Sequence, residues 1–282
     1  MKIIMNLMGG FGNMLFQFMY GYSQARKTES IINFISVEKK RKNAKEYNFL
    51  KSFNFININN IPNNLIKFEE EGHYFTKKNN DLIKYNKYEN IFINGYFQSY
   101  KYSLIYFEEI KQLIFYNLSD KMTKVKLFYD FIKKDNKITI TVHIRRTDYL
   151  EYSDVHHVIK NDEWYEDAIQ IMLNNLNTTP DNIKLILFSD DIKYLQNMNI
   201  TKKYNHIIAE KLNLDIEETF LLMSLSDNFI IPNSSYSLLS YYFRQNNKAH
   251  IVIPNKWFAE KGPVHNINDI IEMTKNVHIC NI

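Results

Sequence analysis

The chain has 282 residues, of which 45% are hydrophobic and 23% charged, and its formal net charge is +4. This length predicts two domains with ordinary cores, and the mixing of lysines with carboxylates along the chain excludes a nucleic-acid-binding surface. One cysteine in the whole chain excludes a disulfide framework and a thiolate metal site. No apolar run approaches the roughly 18 residues of a membrane span and no signal peptide is recognisable, which predicts a cytoplasmic protein.

The N-terminal part contains strands and helices separated by a stretch without periodicity. We predict strands at 2–8 and 30–36, a helix at 13–27, a strand and turn within 91–103, and mostly helix over 104–134. Residues 39–90 are rich in Asn and Lys, and no element is placed there. The dense basic run at 38–45 is most simply a solvated loop, and weak peripheral contact with an anionic membrane is the alternative.

After a polar linker at 133–137 the pattern becomes regular. Strands are predicted at 138–144, 184–189, 206–209, 228–232 and 249–254, with helices at 162–176, 215–226 and 235–245. Alternating strands and helices indicate a doubly wound parallel sheet, whose ligands bind at the carboxyl ends of the strands. We therefore expect an N-terminal domain at 1–135, a Rossmann-like domain at 136–262 and a C-terminal tail at 263–282.

An arginine pair directly follows the strand at 138–144. Only five of the 35 basic residues are Arg, and two of these five, Arg145 and Arg146, are adjacent at this strand end. The planar guanidinium suits bidentate contact with phosphate, whereas Lys is a mobile point charge. The pair therefore indicates a phosphate-binding site, with a structural ion pair to Asp148 as the alternative.

Two further strand ends carry polar residues. Ser234 and Ser235 open a helix and suit anion binding at its N-terminus, although simple capping by Asn233 or Ser234 is equally consistent. Asp190 and Asp191 are adjacent, a poor spacing for two ligands on one metal ion, so hydrogen bonding to a base or ribose or capping of a helix fits better.

Other chemistries lack their motifs. The pair His156–His157 is assigned to surface or packing, and no His/Cys cluster indicates a metal. The P-loop and the nucleophile elbow are both absent. The early glycines do not complete the dinucleotide fingerprint, because Gly10 and Gly12 are followed by Leu15 where the third glycine should stand.

Five blocks of the chain closely resemble the signature blocks of the α-1,2-fucosyltransferases of bacteria and animals. They occur in the family's order from residue 9 to about 257, and they read GGFGNMLFQF, GYFQSYKYS, HIRRTDY, FSDD and IIPNSSYS. The H-x-R-R-x-D block is highly specific in this context. The glycine-asparagine block is less so, because it recurs in protein O-fucosyltransferases of the wider fold.

The resemblance implies a GT-B-like α/β fold, with two Rossmann-like domains facing across a cleft, and an inverting transfer of L-fucose from GDP-fucose without a metal or other cofactor. Carried over by position, the implied site residues have the following roles. Arg145 or Arg146 grips the β-phosphate, His143 shapes the strand end, Asp190 lies near the guanosine, and Ser234 and Ser235 donate to the diphosphate. Asn13, presented by the turn from Gly10 to Gly12, reaches the donor from the opposite domain.

The resemblance implies that 1–135 is the acceptor-side domain and 136–262 the GDP-fucose-binding domain, and it constrains the acceptor less than the donor. Asp148 is slightly preferred to Glu151 as general base. Bacterial members usually have two tryptophans and a glycine after the serine block, where this chain has SLLS at 237–240. They often have a glycine before the Asp of the arginine block, where this chain has Thr147. The implied acceptor is a galactose-terminated oligosaccharide or a lipid-linked glycan, such as a lipopolysaccharide precursor. The alternatives are another linkage or nucleotide sugar, or a non-catalytic nucleotide- or glycan-binding module.

Overall fold

The computed structural model describes residues 2–36, 47–53, 65–81, 89–264, 267–272 and 276–281. The chain forms two compact units, one of Met1–Ser119 with Val264–Ile270 and one of Asp120–Pro263 with Ile271–Ile282. The basic run at 38–45 lies outside the described residues. Within the described ranges, no helix has both the length and the apolar character needed to cross a membrane.

The first unit contains a four-stranded sheet in which every pair is parallel. Its strands lie in the order β2-β1-β4-β3. The elements are β1 (Lys2–Asn6), α1 (Phe11–Lys27), β2 (Ile31–Ile35), β3 (Leu65–Glu69), α2 (Lys77–Asn80), β4 (Asn90–Asn94) and α3 (Phe107–Asn117). Because β1 and β4 are neighbours, the two sequence blocks that follow them, GGFGN and GYFQ, lie at the same sheet edge.

The second unit contains a six-stranded sheet, again with parallel pairs throughout. Its elements run in the following order: α4 (Ser119–Ile132), β5 (Ile138–Ile144), α5 (Thr147–Glu151), α6 (Asp162–Leu176), β6 (Ile183–Ser189), α7 (Ile192–Asn197), α8 (Asn199–Lys203), β7 (His206–Ile208), α9 (Ile216–Leu225), β8 (Asn228–Ile230), α10 (Ser235–Tyr242), β9 (Ile251–Pro254) and, after the short helix α11 (Asn268–Ile271), β10 (Val277–Cys280). All of α11 except Ile271 belongs to the first unit. The central strands β5 and β6 are almost wholly buried, as expected of a parallel sheet covered on both faces.

The strand order of this sheet determines where a ligand binds. The order is β10-β9-β8-β5-β6-β7, so the chain moves outward from β5 through β6 to β7 and then returns to place β8 on the other side of β5. This reversal is the topological switch point of a doubly wound sheet, where a crevice opens at the carboxyl ends of the two central strands. The predicted doubly wound parallel sheet is confirmed.

Several elements were not anticipated from the sequence. The segment predicted as a tail contributes β10, which pairs with β9 from Val277 to Cys280. A four-residue strand is too short to show a period. Only Cys280 of this strand is buried, and the indole N–H of Trp164 in α6 donates to the Cys280 carbonyl at 3.3 Å. Likewise β3 and α2 lie in the stretch where no element was predicted.

Candidate active site

The switch point brings together two of the blocks singled out in the sequence. Arg145 and Arg146 follow β5, while Ser234 and Ser235 follow the adjacent strand β8 and begin α10. A direct link joins the blocks, because the Tyr149 hydroxyl donates to the Asn233 carbonyl at 2.9 Å. The arginines and the hydroxyls therefore belong to one site within the second unit.

Arg145 is held by carboxylates of its own unit. Its Nη1 lies 2.9 Å from Asp190 Oδ2, and its Nη2 lies 2.8 Å from both oxygens of Asp148. Burial opposes the charge of the guanidinium, but the two carboxylates outweigh it, and the pKa of Arg145 is raised. The structural ion pair considered as the alternative therefore exists for Arg145, and it includes Asp190 as well as Asp148.

Arg146 differs from its neighbour because its ion pair with a carboxylate is longer. Its Nε lies 3.7 Å from Asp191 Oδ2, and among the described residues its buried Nε and Nη1 have no hydrogen-bond partner. The guanidinium lies over the Tyr194 ring, 3.5 Å from the centroid, and 14% of the side chain is exposed. Buried guanidinium nitrogens without hydrogen bonds are costly, which makes Arg146 the candidate phosphate ligand of the pair.

Asp190 holds the arginine block in place. Its Oδ1 accepts the backbone N–H of Arg146 at 2.9 Å, and its Oδ2 accepts the Thr147 hydroxyl at 2.5 Å. The capping role belongs instead to Asp191, which accepts the Tyr194 N–H at 3.0 Å at the start of α7. Both oxygens of Asp190 are thus engaged within the protein. The guanosine contact expected from the resemblance stays a prediction.

The serine block leaves the start of α10 without a side-chain cap. Ser234 is the N-cap residue, yet its side chain makes no capping hydrogen bond. Asn233 does not cap either, since its amide donates to the Trp257 carbonyl. The simple capping alternative is therefore wrong for both residues. The dipole and N–H groups at this helix start are suited to an anion.

His143, the penultimate residue of β5, is buried and uncharged. Burial, reinforced by the positive charge of Arg145, lowers the pKa of His143 to about 3. Its Nδ1 lies 2.9 Å from the Ser237 hydroxyl. The imidazole therefore supplies neutral packing and one hydrogen bond at the end of β5. Its expected part in donor binding stays a prediction.

The glycine block lies in the first unit, and its special backbone residue is Gly9. Gly9 has φ +81°, and a Cβ there would lie 2.6 Å from Asn13 Nδ2. Gly10 instead takes an ordinary extended conformation as the N-cap of α1, and Gly12 lies inside that helix. Asn13 Oδ1 accepts the side-chain N–H of Gln98 at 2.7 Å, so the glycine and GYFQ blocks meet. Donor contact by Asn13 stays a prediction.

Three residues of the site were missed by the sequence reasoning. Tyr149 links the arginine and serine blocks, Thr147 donates to Asp190, and Tyr194 lies beneath Arg146. The position of Tyr149 directly after R-R-T-D was a usable signal, whereas nothing local marks Tyr194. His156 stacks on Tyr149 with ring centroids 4.2 Å apart, in agreement with its predicted packing role.

No metal site is evident in the part of the chain that the structure describes. There, no group of three or more His, Cys, Asp or Glu side chains is placed to hold a metal ion. The acidic groups nearest the arginines, Asp148 and Asp190, both pair with Arg145.

Comparison with known proteins places the chain among glycosyltransferases. An Escherichia coli protein named alpha-1,2-colitosyltransferase is 25% identical over 92% of this chain and 93% of its own length. An E. coli O-antigen biosynthesis glycosyltransferase, WbnK, is 31% identical over 44% of this chain and 41% of its own length.

Solved structures share the fold. The fucosyltransferase NodZ from Bradyrhizobium has a TM-score of 0.52 at 15% identity, over 86% of this chain and 93% of its own. NodZ co-crystallised with GDP has a TM-score of 0.53 over 86% of this chain and 92% of its own, also at 15% identity. The α/β fold expected from the resemblance is confirmed. Residues 5–267 match the sequence family described as glycosyl transferase family 11, and the chain therefore belongs to that family.

Proposed function

We propose that this protein transfers L-fucose from GDP-fucose to a hydroxyl of a glycan acceptor, with inversion and without a metal. The proposed hydroxyl is O2 of a terminal galactose, and the proposed acceptor is a lipid-linked or soluble precursor of a surface glycan. The observation that carries the proposal is Arg146, a guanidinium at the switch point whose buried Nε and Nη1 have no hydrogen-bond partner among the described residues. Family membership and the O-antigen assignment of one relative support the carbohydrate substrate.

In this proposal the diphosphate of the donor binds between Arg146 and the start of α10. The guanidinium offers two parallel N–H donors to phosphate oxygens, and the uncapped helix start, with the hydroxyls of Ser234 and Ser235, offers further donors. Arg145 is paired with Asp148 and Asp190, and its part in this proposal is to maintain the shape of the block. This division of labour makes Arg146 the principal phosphate ligand.

The reaction is a single displacement at the anomeric carbon. The acceptor hydroxyl attacks as the fucose–phosphate bond breaks, the electron pair of that bond passes to the leaving GDP, and the hydroxyl proton passes to a base. Negative charge on the diphosphate grows toward the transition state, so fixed cationic donors stabilise the transition state more than the bound donor. Two guanidinium groups placed in advance supply the charge that a divalent ion supplies in other transferases.

Asp148 remains the proposed base, with Glu151 as its rival. Asp148 Oδ2 accepts a hydrogen bond from Arg145 Nη2 at 2.8 Å, whereas the buried Asp148 Oδ1 has no hydrogen-bond partner among the described residues. Glu151 is exposed at the end of α5. Asp148→Asn keeps an oxygen for Arg145 but cannot take a proton, and Glu151→Gln does the same at the rival position. Whichever variant loses kcat without losing GDP affinity contains the base.

A second donor is worth testing because of the relative named alpha-1,2-colitosyltransferase. Colitose is the 3-deoxy counterpart of L-fucose, so the two GDP-sugars present the same diphosphate to Arg146. Discrimination between them therefore depends on contacts with the sugar 3-hydroxyl and not on the arginine site. A site built to hydrogen-bond a hydroxyl rejects the deoxy analogue strongly, whereas an apolar pocket discriminates only weakly.

The experiment is a donor screen with the purified protein. GDP-fucose, GDP-colitose, GDP-mannose and UDP-galactose are each incubated with lactose as acceptor, with and without EDTA, and products are analysed by mass spectrometry and linkage analysis. We expect fucosyl-lactose with a 1,2 linkage to galactose, in equal yield with EDTA. Transfer from GDP-colitose alone would make GDP-colitose the donor in place of GDP-fucose. A different linkage would overturn the proposed transfer to galactose O2, and loss of transfer with EDTA would overturn metal independence. Binding of GDP by calorimetry without release of GDP from GDP-fucose, with lactose or any other galactose-terminated acceptor, would favour the non-catalytic module.

A further inference from the structure

A groove of about 700 Å³ lies beside the arginine block, wholly within the second unit. Two loops form it: one at 153–161, between α5 and α6, and one at 256–260, after β9. We refer to it as the basic groove, because Lys160, Lys256 and His157 line it. Its volume is that of an ordinary small-ligand site and is sufficient for a disaccharide.

The walls of the basic groove are held together by backbone hydrogen bonds. The N–H of Ala259 donates to the Val155 carbonyl at 2.9 Å, and that of Lys261 donates to the Asp154 carbonyl at 3.1 Å. An isolated antiparallel bridge joins His156 to Phe258. The two loops therefore form a paired unit that keeps its shape, instead of two independent surface segments.

The basic groove is connected to the arginine block at both ends of the loop at 153–161. His156 stacks on Tyr149, the residue that follows the block and reaches the serine block. At the other end, the Tyr194 hydroxyl donates to Asp162 Oδ1 at 3.0 Å, while the Tyr194 ring lies under Arg146. A ligand in the groove is thus next to the proposed donor site, within the same rigid framework.

The side chains of the basic groove suit a sugar that carries a phosphate. Phe258 provides an aromatic wall for the apolar face of a sugar ring, and Ser153 and Asn161 provide partners for hydroxyls. Lys160 and Lys256 provide two positive charges for phosphate. Burial lowers the pKa of His157, and the charges of Lys256 and Lys160 lower it further. The one carboxylate that lines the groove is Glu260, which is exposed.

We propose that the basic groove binds a phosphate group carried by the acceptor glycan. This inference rests on the proposed function, because it names the acceptor class of the same reaction. Phosphate at the reducing end of a glycan is found both in free sugar phosphates and in lipid-linked diphosphate precursors. The groove would recognise the chemistry that the two share, while the sugar at the far end of the acceptor supplies the hydroxyl that is fucosylated.

The test compares three acceptors and one charge-matched pair of variants. The acceptors are lactose, lactose 1-phosphate and lactose attached through diphosphate to a farnesyl chain, with inorganic phosphate as an additional binding probe. The variant is Lys160→Gln with Lys256→Gln. The control is Lys202→Gln with Lys211→Gln, which removes the same charge from exposed positions of the same unit outside the groove. Binding is measured by calorimetry and transfer by steady-state kinetics.

We expect the wild-type protein to bind lactose 1-phosphate about tenfold more tightly than lactose, the effect of two largely exposed ion pairs. The groove variant should lose this preference, while the control variant keeps it and the Kd for GDP is unchanged in both. If lactose attached through diphosphate to a farnesyl chain binds more tightly than lactose 1-phosphate, the lipid-linked precursor is the source of the phosphate. If the two bind equally tightly, the free sugar phosphate is the source.

Three outcomes would overturn the inference. If the wild-type protein binds lactose and lactose 1-phosphate with equal affinity, phosphate has no role in binding. If it binds inorganic phosphate as tightly as lactose 1-phosphate, the sugar has no role in binding. A raised Kd for GDP in the groove variant alone assigns the groove to the nucleotide. Because these are binding measurements, they remain decisive even if no GDP-sugar supports transfer, which separates failure of this inference from failure of the proposed function.

Discussion

Replacing Arg145 and Arg146 separately should give different results, because the two side chains have different ion-pair partners. Arg146 has its nearest carboxylate 3.7 Å away, whereas Arg145 forms contacts of 2.8–2.9 Å with Asp148 and Asp190. We expect Arg146→Ala to abolish most turnover while the fold stays intact. Arg145→Ala should lower the stability of the protein as well as its activity.

The magnitudes follow from these contacts. Loss of one preorganised donor to the leaving diphosphate costs about 2–4 kcal/mol of transition-state stabilisation, or a fall of about 30- to 1000-fold in kcat/KM. The free energy of unfolding of Arg146→Ala should change by less than about 1 kcal/mol, because the variant removes mainly a stack on Tyr194. Arg145→Ala removes the ion pair of Asp148 and one of the partners of Asp190, which keeps the Arg146 N–H and the Thr147 hydroxyl. Since 39% of the Asp148 side chain and 18% of the Asp190 side chain are exposed, we expect a loss of about 1–2 kcal/mol.

The assay combines steady-state kinetics with GDP-fucose, GDP binding by calorimetry and urea unfolding of both variants. Arg146→Lys is the matched control, because it keeps the charge but loses the planar fork, and we expect it to recover only part of the activity. Near-normal turnover by a folded Arg146→Ala protein would refute the reasoning. Equal loss of stability in the two alanine variants would refute the difference in partnering.

Three further changes test the framework of the site. Asp190→Ala should lower both Tm and GDP affinity. Asp190→Asn keeps an acceptor for the backbone N–H of Arg146 and should recover most of the lost Tm. An unchanged Tm in Asp190→Ala would contradict the role of Asp190 in holding the arginines in place. The folded pKa of His143, about 3, lies below its unfolded value near 6.5, so the unfolded state binds the extra proton, and stability should fall as pH drops from about 6.5 toward 3. Urea midpoints across this range should fall less steeply for His143→Asn. Gly9 has a positive φ, and a Cβ there would lie close to the Asn13 amide, so Gly9→Ala should lower the free energy of unfolding in urea by about 1–3 kcal/mol. Gly10→Ala is the control, because a Cβ at Gly10 meets nothing within 4 Å, and its free energy of unfolding should change little.

The position of the arginine pair at a strand end was predictable from the sequence for a specific physical reason. In the strand ITITVHI every side chain but the first is buried, so both faces of the strand are apolar or β-branched as far as Val142, and its end is marked by the first charged residues. Arg145 and Arg146 stand at that end in a chain that otherwise favours Lys. By contrast, β10 is four residues long and was missed, because so short a strand carries no periodic signal.

The sequence by itself determined the alternation of strands and helices in the second unit, since burial on both faces and helix capping act on neighbouring residues. It also determined that arginines and hydroxyls stand at strand ends. Only the tertiary structure decided that β8 lies beside β5, which brings the serine block to the arginines. It also decided which arginine is paired, because Asp190 reaches Arg145 and the Arg146 backbone from the end of a different strand. Such contacts join residues far apart in the chain, and local pattern carries no information about them.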